Sequence, residues 1–491
     1  MAERDIESLL EASRAGMYVA YWAKLLPDAT ALIGRQGHLS YAEFNAQCNR
    51  LAHALRALGM KAGDALALLA PNSFEFAITL MATRRIGIRT TPLNVHLGAD
   101  EIGYILRDCD ARAFVASARY AEVARSAARN APALQILLAS EGDIDGFRSF
   151  DATLAGSDAS DVSDPVLGMN MLYTSGSTGK PKGVERASAA PPAVAPLPWP
   201  GSYRPGLDRH LCTGPLYHAA PLGYSLVIPM LSGAGIVLMD GWDAEETLRA
   251  IETHRVSHTH MVPTMFHRLL ALPKETRARY DVSSLVFVLH GAAPCPVPLK
   301  HAMIAWLGPI VYEYYGATEG IGTFVDSATW LQKPGTVGHP QPPDQIRVLD
   351  DDGRDVPSGV TGSIYLKTLP GAGFRYHKDD DKTRAAFRGE YFTLYDVGYL
   401  DEDGYLFLTD RSANLIISGG VNIYPAEADA VLITHPAVLD IGVIGVPNSE
   451  WGEEVKAVVE LREGFAPSPE LAQEMIEFCR ARLAHYKCPR S

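Results

Sequence analysis

The feature that most limits the fold is a rhythm. Through the first third of the chain, short apolar runs at 65–69, 113–116 and 135–138 alternate with helical stretches such as 74–84 and 99–106. A run that is apolar on every residue has both faces covered, and strands joined through helices run parallel. The rhythm therefore predicts an α/β fold whose large N-terminal body holds mainly parallel sheets flanked by helices. Near its start, Ser40 and Glu43 form a capping-box signature, and Phe44, Cys48, Leu51, Leu55 and Leu58 share one helical face before Gly59 stops the helix. After Arg411 the pattern changes to a helix near 425–433, strands at 440–446 and 455–461, and a helix at 469–483. This predicts two domains, 1–411 and a small α+β domain at 412–491.

Composition removes several classes of function. With 44 Lys+Arg against 57 Asp+Glu, the net charge of −13 leaves no bulk basic face for nucleic acid or an anionic membrane. Six cysteines without a C-x-x-C pair fit a reducing compartment, and the charged N-terminus lacks the apolar run of an export signal. A cytoplasmic location is expected. The stretch 211–239 carries no Asp, Glu, Lys or Arg, yet Pro215, Pro221, Pro229, Gly214, Gly223, Gly233 and Gly235 interrupt it. A helix at about 221–231 and a buried strand at 235–239 are expected there, and no stable membrane insertion. The Ala- and Pro-rich stretch 187–206 reads as a loop or surface insertion.

The most informative segment is Tyr173-Thr-Ser-Gly-Ser-Thr-Gly-Lys-Pro-Lys-Gly-Val184. Glycines let backbone N–H groups approach an anion, the hydroxyls of Thr174, Ser175, Ser177 and Thr178 can donate to phosphate oxygens, and Lys180 and Lys182 add positive charge. Gly176 and Gly179 are only three positions apart and Pro181 follows Lys180, so this is not a G-x-x-x-x-G-K-[ST] loop. It is built for polyphosphate on a different plan.

With this loop, the ordered segments Tyr314-Tyr-Gly-Ala-Thr-Glu319, Tyr391-Phe-Thr-Leu-Tyr-Asp396, Asp410-Arg411 and Ile417-Ser-Gly-Gly-Val-Asn-Ile-Tyr-Pro-Ala-Glu427 resemble the adenylate-forming superfamily of acyl-CoA synthetases, adenylation domains and luciferases. Gly214-Pro-Leu-Tyr-His-Ala-Ala-Pro221 looks most like the branch of fatty-acyl, aryl and bile-acid CoA ligases. The resemblance implies that a carboxylate attacks the α-phosphate of ATP to give acyl-AMP and pyrophosphate, and that the thiol of coenzyme A then displaces AMP. ATP and Mg²⁺ are the implied cofactors, with CoA as co-substrate. By the same resemblance Glu319 is the metal carboxylate, Lys180 a catalytic cation, and Asp396 the acceptor for the ribose hydroxyls. Arg411, Thr318 and Gly316 contact the nucleotide, and adenine lies between Tyr315 and the turn Gly291, Ala292 and Ala293. His218 positions the acid, whose pocket is lined by Ala219, Gly223, Tyr224 and Tyr314, while Gly419 and Gly420 lie on the thiol path. The small residues around that pocket imply a hydrophobic fatty, aryl or steroid-like acid. Homo-oligomerisation is left open.

Other clusters read as structural. His258 and His260 share one face of a strand, but no carboxylate or cysteine completes a ligand set, so packed or edge histidines are expected. The runs Asp350-Asp-Asp-Gly and Asp379-Asp-Asp-Lys read as turns with solvated charge. Three departures from the resemblance stand out. The family's catalytic lysine in a Pro-x-x-x-Gly-Lys segment has no counterpart in this sequence, and Lys487 aligns with an earlier Tyr-Lys-x-Pro lysine instead. Tyr395 replaces the glycine usual before the ribose aspartate, and Ala413 occupies the domain hinge. The expectation is an AMP-forming acid–CoA ligase with adenylation impaired by the missing lysine. The alternatives are an acyl-adenylate former serving an amine or a carrier protein, and a pseudoenzyme that binds nucleotide and acid.

Overall fold

A computed structural model describes residues 3–174, 181–186, 202–368, 373–411, 414–418, 421–448 and 451–491. The chain forms two compact units. The first comprises Met1–His290, Ala317–Glu319 and Leu369–Arg384, and the second Gly291–Gly316, Gly320–Thr368 and Ala385–Ser491.

The first unit carries the expected parallel sheets. In one, Arg89–Pro92, Ala65–Leu69, Ala111–Ser117, Ile136–Ser140 and Arg148–Ser149 lie side by side in that order, every pair parallel. In the other, Phe287–His290, His258–Met261, Arg209–Cys212, Gly235–Leu238 and Thr30–Gly34 are parallel, and Gly37–Ser40 closes the edge as an antiparallel hairpin strand. The helix Tyr41–Ala57 begins with the expected capping box and buries Phe44, Cys48, Leu51 and Leu55. All five residues of Ala65–Leu69 are buried, which is why that run shows no polar alternation.

The charge-free stretch folds as Ala219–Pro221, a π-helical turn over Leu222–Val227, the helix Ile228–Leu231 and the strand Gly235–Leu238. Among the described residues no helix is long and apolar enough to cross a membrane. Most of the 187–206 insertion lies outside the described residues. The run at Asp379 is not the expected turn. Asp379 accepts from the Lys382 backbone N–H at 3.0 Å and starts the helix Asp380–Ala386, where acidic residues favour the positive end of the helix dipole.

A third, antiparallel sheet in this unit joins Leu172–Thr174, Lys182–Arg186 and Phe374–Tyr376. Thr174 pairs with Lys182, so the ladder closes the base of the phosphate loop, whose residues 175–180 lie outside the described set.

The second unit departs from the parallel expectation. Its largest sheet, in the order Thr336–Gly338, Leu406–Arg411, Tyr391–Leu400, Gly362–Lys367, Ile346–Leu349, with Phe387–Arg388 paired to Tyr391–Leu400, is antiparallel. Antiparallel strands need only short turns, so the strand-helix alternation that marks the first unit is absent from this part of the sequence. Its last segment follows the α+β expectation: helices Pro425–Leu432 and Pro469–Arg480 cover a four-stranded sheet that includes Val438–Asn448 and Gly452–Leu461. Ile416, Leu432, Val443, Val455 and Met475 share its core.

Candidate active site

The candidate residues fall into two groups, one in each unit. In the second unit, Tyr314 and Tyr315 end the strand Val311–Gly316. The Tyr315 hydroxyl donates to Asp396 Oδ2 at 2.8 Å, and both residues are buried. A Cβ on Gly322 would lie 2.7 Å from the Tyr315 ring, so a glycine there lets that ring pack against backbone. A Cβ on Gly291 would lie 2.5 Å from the Tyr314 ring, and Ala292 takes the left-handed φ of 66°. The turn 291–293 is therefore held tightly against Tyr314.

Asp396 sits at a bulge. Ser363 pairs with Val397 and Tyr365 with Thr393, so Ile364 alone faces residues 394–396. Tyr395 within it has φ 64°, a conformation that costs a side-chain-bearing residue about 1–2 kcal/mol. Glycine adopts it without that cost, which is the physical reason a glycine is usual at this position in the superfamily. The bulge turns the Asp396 carboxylate out of the regular alternation of the strand. Arg411 pairs with Asp396 in backbone register; its side chain, Ala413, Gly419 and Gly420 lie outside the described set.

In the first unit, His218 leads into the short helix Ala219–Pro221, and its ring meets Tyr217 edge-on at 4.7 Å. The imidazole reaches solvent, but the protein around it displaces water and holds its pKa below the ordinary histidine value. Asn72 staples this turn: its side-chain amide donates to the Gly214 carbonyl at 2.9 Å and accepts from the Leu216 N–H at 2.9 Å. On the π-helical turn, Tyr224 stacks on His260 with centroids 5.6 Å apart. A Cβ on Gly223 would meet nothing within 4 Å. Burial drives the His260 pKa down to about 4, so its ring is neutral near pH 7. His258 and His260 are packed in a sheet, as expected, and among the described residues no group of three or more His, Cys, Asp or Glu could hold a metal.

Glu319 follows Thr318 in the loop after Gly316 and is half-buried. Its Oε1 accepts from the Tyr376 hydroxyl at 3.0 Å, and the Thr318 carbonyl accepts from Arg186. A single oriented carboxylate is the donor set expected for Mg²⁺, which takes one or two carboxylates and completes its shell with phosphate and water. Glu319 would hold that ion, whose chemistry would be to neutralise phosphate charge as ATP reacts. Lys182, expected on phosphate, forms an ion pair with Asp379 at 2.7 Å.

The three-stranded sheet has two faces. Val184, Arg186, Phe374 and Tyr376 share one, with Tyr376 opposite Val184 and Phe374 opposite Arg186. The other carries Glu185, which accepts from Arg89, Arg375 and His377. Burial raises the Glu185 pKa, but the bonds from Arg375 and His377 outweigh it and hold it below the usual carboxylate range. His377 also contacts the Asp108 carbonyl at 2.8 Å, and Tyr173 donates to the Asp108 carboxylate at 2.6 Å. Sequence reasoning missed Asn72, Arg186, Glu185, Tyr376 and His377, because their partners are distant in the chain and no local spacing marks them.

The chain matches the AMP-binding enzyme model over residues 19–370 and the AMP-binding enzyme C-terminal domain over 427–491. It belongs to the AMP-binding enzyme family. Its curated relatives across nearly the whole chain are acid–CoA ligases, and it is an AMP-forming enzyme of that class. It is 34% identical to indoleacetate–CoA ligase of Aromatoleum aromaticum, across 95% of this chain and 91% of that one. The crystal structure of an anthranilate CoA ligase in complex with anthranoyl-AMP superposes with a TM-score of 0.85 at 27% identity, covering 97% of this chain and 92% of that one. An amide bond synthetase from Marinactinospora thermotolerans gives 0.81 at 26%, covering 97% and 94%.

Proposed function

We propose that this family member activates an aromatic carboxylic acid with Mg²⁺ and ATP, and passes the acyl group to coenzyme A. The observation that carries the nucleotide half is the buried pair of Tyr315 and Asp396, an acceptor-only carboxylate on a bulged strand steadied by one phenol. Such a group suits two vicinal ribose hydroxyls. Glu319 takes the metal, Lys180 and the hydroxyls of the phosphate loop take the phosphates, and His218 positions the acid. The aromatic assignment, narrower than the fatty, aryl or steroid-like range, draws on the open side of Gly223 beside the Tyr224–His260 stack. The relatives' own acids, indoleacetate and anthranilate, are aromatic. Thiol transfer would use rotation of a domain at 412–491 about Ala413.

In the first step a carboxylate oxygen bonds to the α-phosphorus and pyrophosphate leaves; in the second, sulfur bonds to the acyl carbon and AMP leaves. The test is chromatographic separation of AMP from ADP with ATP, Mg²⁺ and panels of aryl, fatty and steroid acids, with and without CoA. AMP that requires an aryl acid and rises with CoA supports the reading. AMP release with fatty or steroid acids alone refutes the acid class. A rise with amines in place of CoA moves the enzyme to the amide-forming reading that the Marinactinospora thermotolerans neighbour motivates.

A further inference from the structure

The loop that carries Glu319 has no regular secondary structure of its own. A glutamate in such a place has rotamer freedom worth up to about 2 kcal/mol, which a metal would have to freeze on binding. Two side chains from neighbouring strands remove that freedom in advance. From Phe374–Tyr376, the Tyr376 hydroxyl donates to Glu319 Oε1 at 3.0 Å. From Lys182–Arg186, Arg186 donates to the Thr318 carbonyl through Nε at 3.2 Å and Nη2 at 2.6 Å.

We infer that Tyr376 and Arg186 are positioning residues for the metal carboxylate, a two-point brace that fixes the backbone and the side chain of Glu319 before Mg²⁺ arrives. The inference rests on the reading of Glu319 as the Mg²⁺ ligand. The division of labour fits that purpose. A cation placed directly on the carboxylate would compete with Mg²⁺ for its charge, whereas a phenol orients one oxygen and leaves the charge in place. The guanidinium spends its hydrogen bonds on the neutral Thr318 carbonyl, and its charge reaches Glu319 only through space. Tyr376 is itself immobilised: it is 3% exposed, Phe374 meets it edge-on at 5.5 Å, and Lys382 Nζ lies 4.4 Å from its ring centroid. A cation over the ring draws electron density from the phenol and makes its hydroxyl a stronger donor.

The brace is itself anchored. The same small sheet pairs Thr174 with Lys182 at the base of the phosphate loop, and its opposite face is bolted to Asp108 and Arg89. One small sheet therefore carries Thr174 and Lys182 as well as both residues of the brace.

The test is calorimetry of ATP binding to the full chain, once with Mg²⁺ and once with EDTA. The quantity read is the gain in affinity that Mg²⁺ confers, which needs no turnover. In Glu319→Gln the gain should disappear. In Tyr376→Phe it should shrink about tenfold, while affinity in EDTA stays within about twofold of the parent. A residue that merely supported the fold would lower both affinities together. Arg186 is exposed, so Arg186→Lys provides a second variant should Tyr376→Phe fail to fold; it keeps the charge but loses the two-point grip, and the gain should again fall. A full Mg²⁺ gain in Tyr376→Phe or Arg186→Lys, beside a lost gain in Glu319→Gln, overturns the brace and leaves Glu319 as the ligand. A full gain in Glu319→Gln removes the metal from Glu319 and overturns both readings.

Discussion

Replacing Lys300 by Met tests how the strand that presents Tyr315 is held. Lys300 Nζ and Glu313 Oε2 lie 2.6 Å apart, with side chains 0% and 7% exposed, and the ammonium also lies 4.7 Å from the Trp330 ring centroid. Glu313 is two residues ahead of Tyr315 on Val311–Gly316. At an effective dielectric of about 20, charges 2.6 Å apart attract by about 6 kcal/mol. Desolvation of both ions offsets most of that, and burial accordingly pushes Lys300 down and Glu313 up from their ordinary values. The intact pair is thus worth little net, but removing the Lys300 ammonium from buried Glu313 should cost about 3–5 kcal/mol at pH 7.5. In K300M the folded-state pKa of Glu313 lies above its unfolded value, so the protonated carboxyl is tolerated at low pH and stability is lost as pH rises through the folded pKa. The gap between K300M and the parent, measured by urea unfolding, should therefore narrow at pH 5. The double variant K300M/E313L should return to within about 1 kcal/mol of the parent. A single variant that loses less than about 1 kcal/mol, or a double variant as unstable as the single, would refute the reasoning.

Asp396→Ala should weaken ATP binding by about 1–3 kcal/mol, since the ribose hydroxyls would lose their charged acceptor; unchanged affinity by calorimetry would take Asp396 out of the site. Tyr395→Gly relieves a left-handed strain of about 1–2 kcal/mol against a backbone-entropy cost of about 0.5–1 kcal/mol, so the melting temperature should hold or rise although an aromatic side chain is deleted, and a fall of several degrees would contradict the strain argument. Gly223→Trp should lower kcat/KM for bulky acids about tenfold or more while sparing small ones, and an unaltered acid profile would put the pocket elsewhere. His260 has its pKa depressed from 6.5 to about 4, so its contribution is complete above pH 6.5 and about 3 kcal/mol is lost as pH falls through 4. His260→Phe, which keeps a ring against Tyr224, should flatten the melting temperature between pH 6.5 and 4; an unchanged slope would mean that the imidazole is not the group being charged.

The sequence is most readable where structure is local. The Ser40–Glu43 capping box and the all-apolar run at 65–69 each specify their element through neighbours a few residues away, and these elements and those of the last 80 positions appear within about three residues of their expected limits. The second unit's large antiparallel sheet was hidden because strands such as Tyr391–Leu400 face two partners and carry a bulge, which blurs a period of two. The site divides along the same line. Motifs named Glu319, Asp396 and Tyr315, whose chemistry lies in their own side chains. They did not name Tyr376, 57 positions from Glu319, or Glu185, whose partner His377 is 192 positions away. Asp379 misled because a run of three aspartates looks alike in a solvated turn and at a helix start, and only the partner Lys182 and the Lys382 N–H distinguish them.

The two-faced sheet at 182–186 and 374–376 has a consequence for how such a site can change over time. Direction alternates with position, so 184 and 186 belong to the ligand side and 183 and 185 to the scaffold. Substitution can therefore retune one property at a time: a new residue at 186 alters how the Glu319 loop is gripped without disturbing the attachment to Asp108, and a new residue at 185 does the reverse. Insertion or deletion offers no such independence. Losing one residue from this stretch would exchange all the roles at once, setting Glu185 against the Glu319 loop and Arg186 against Arg375. Lineages that diversify this enzyme, and libraries built to redirect it, can explore composition here freely but must conserve count.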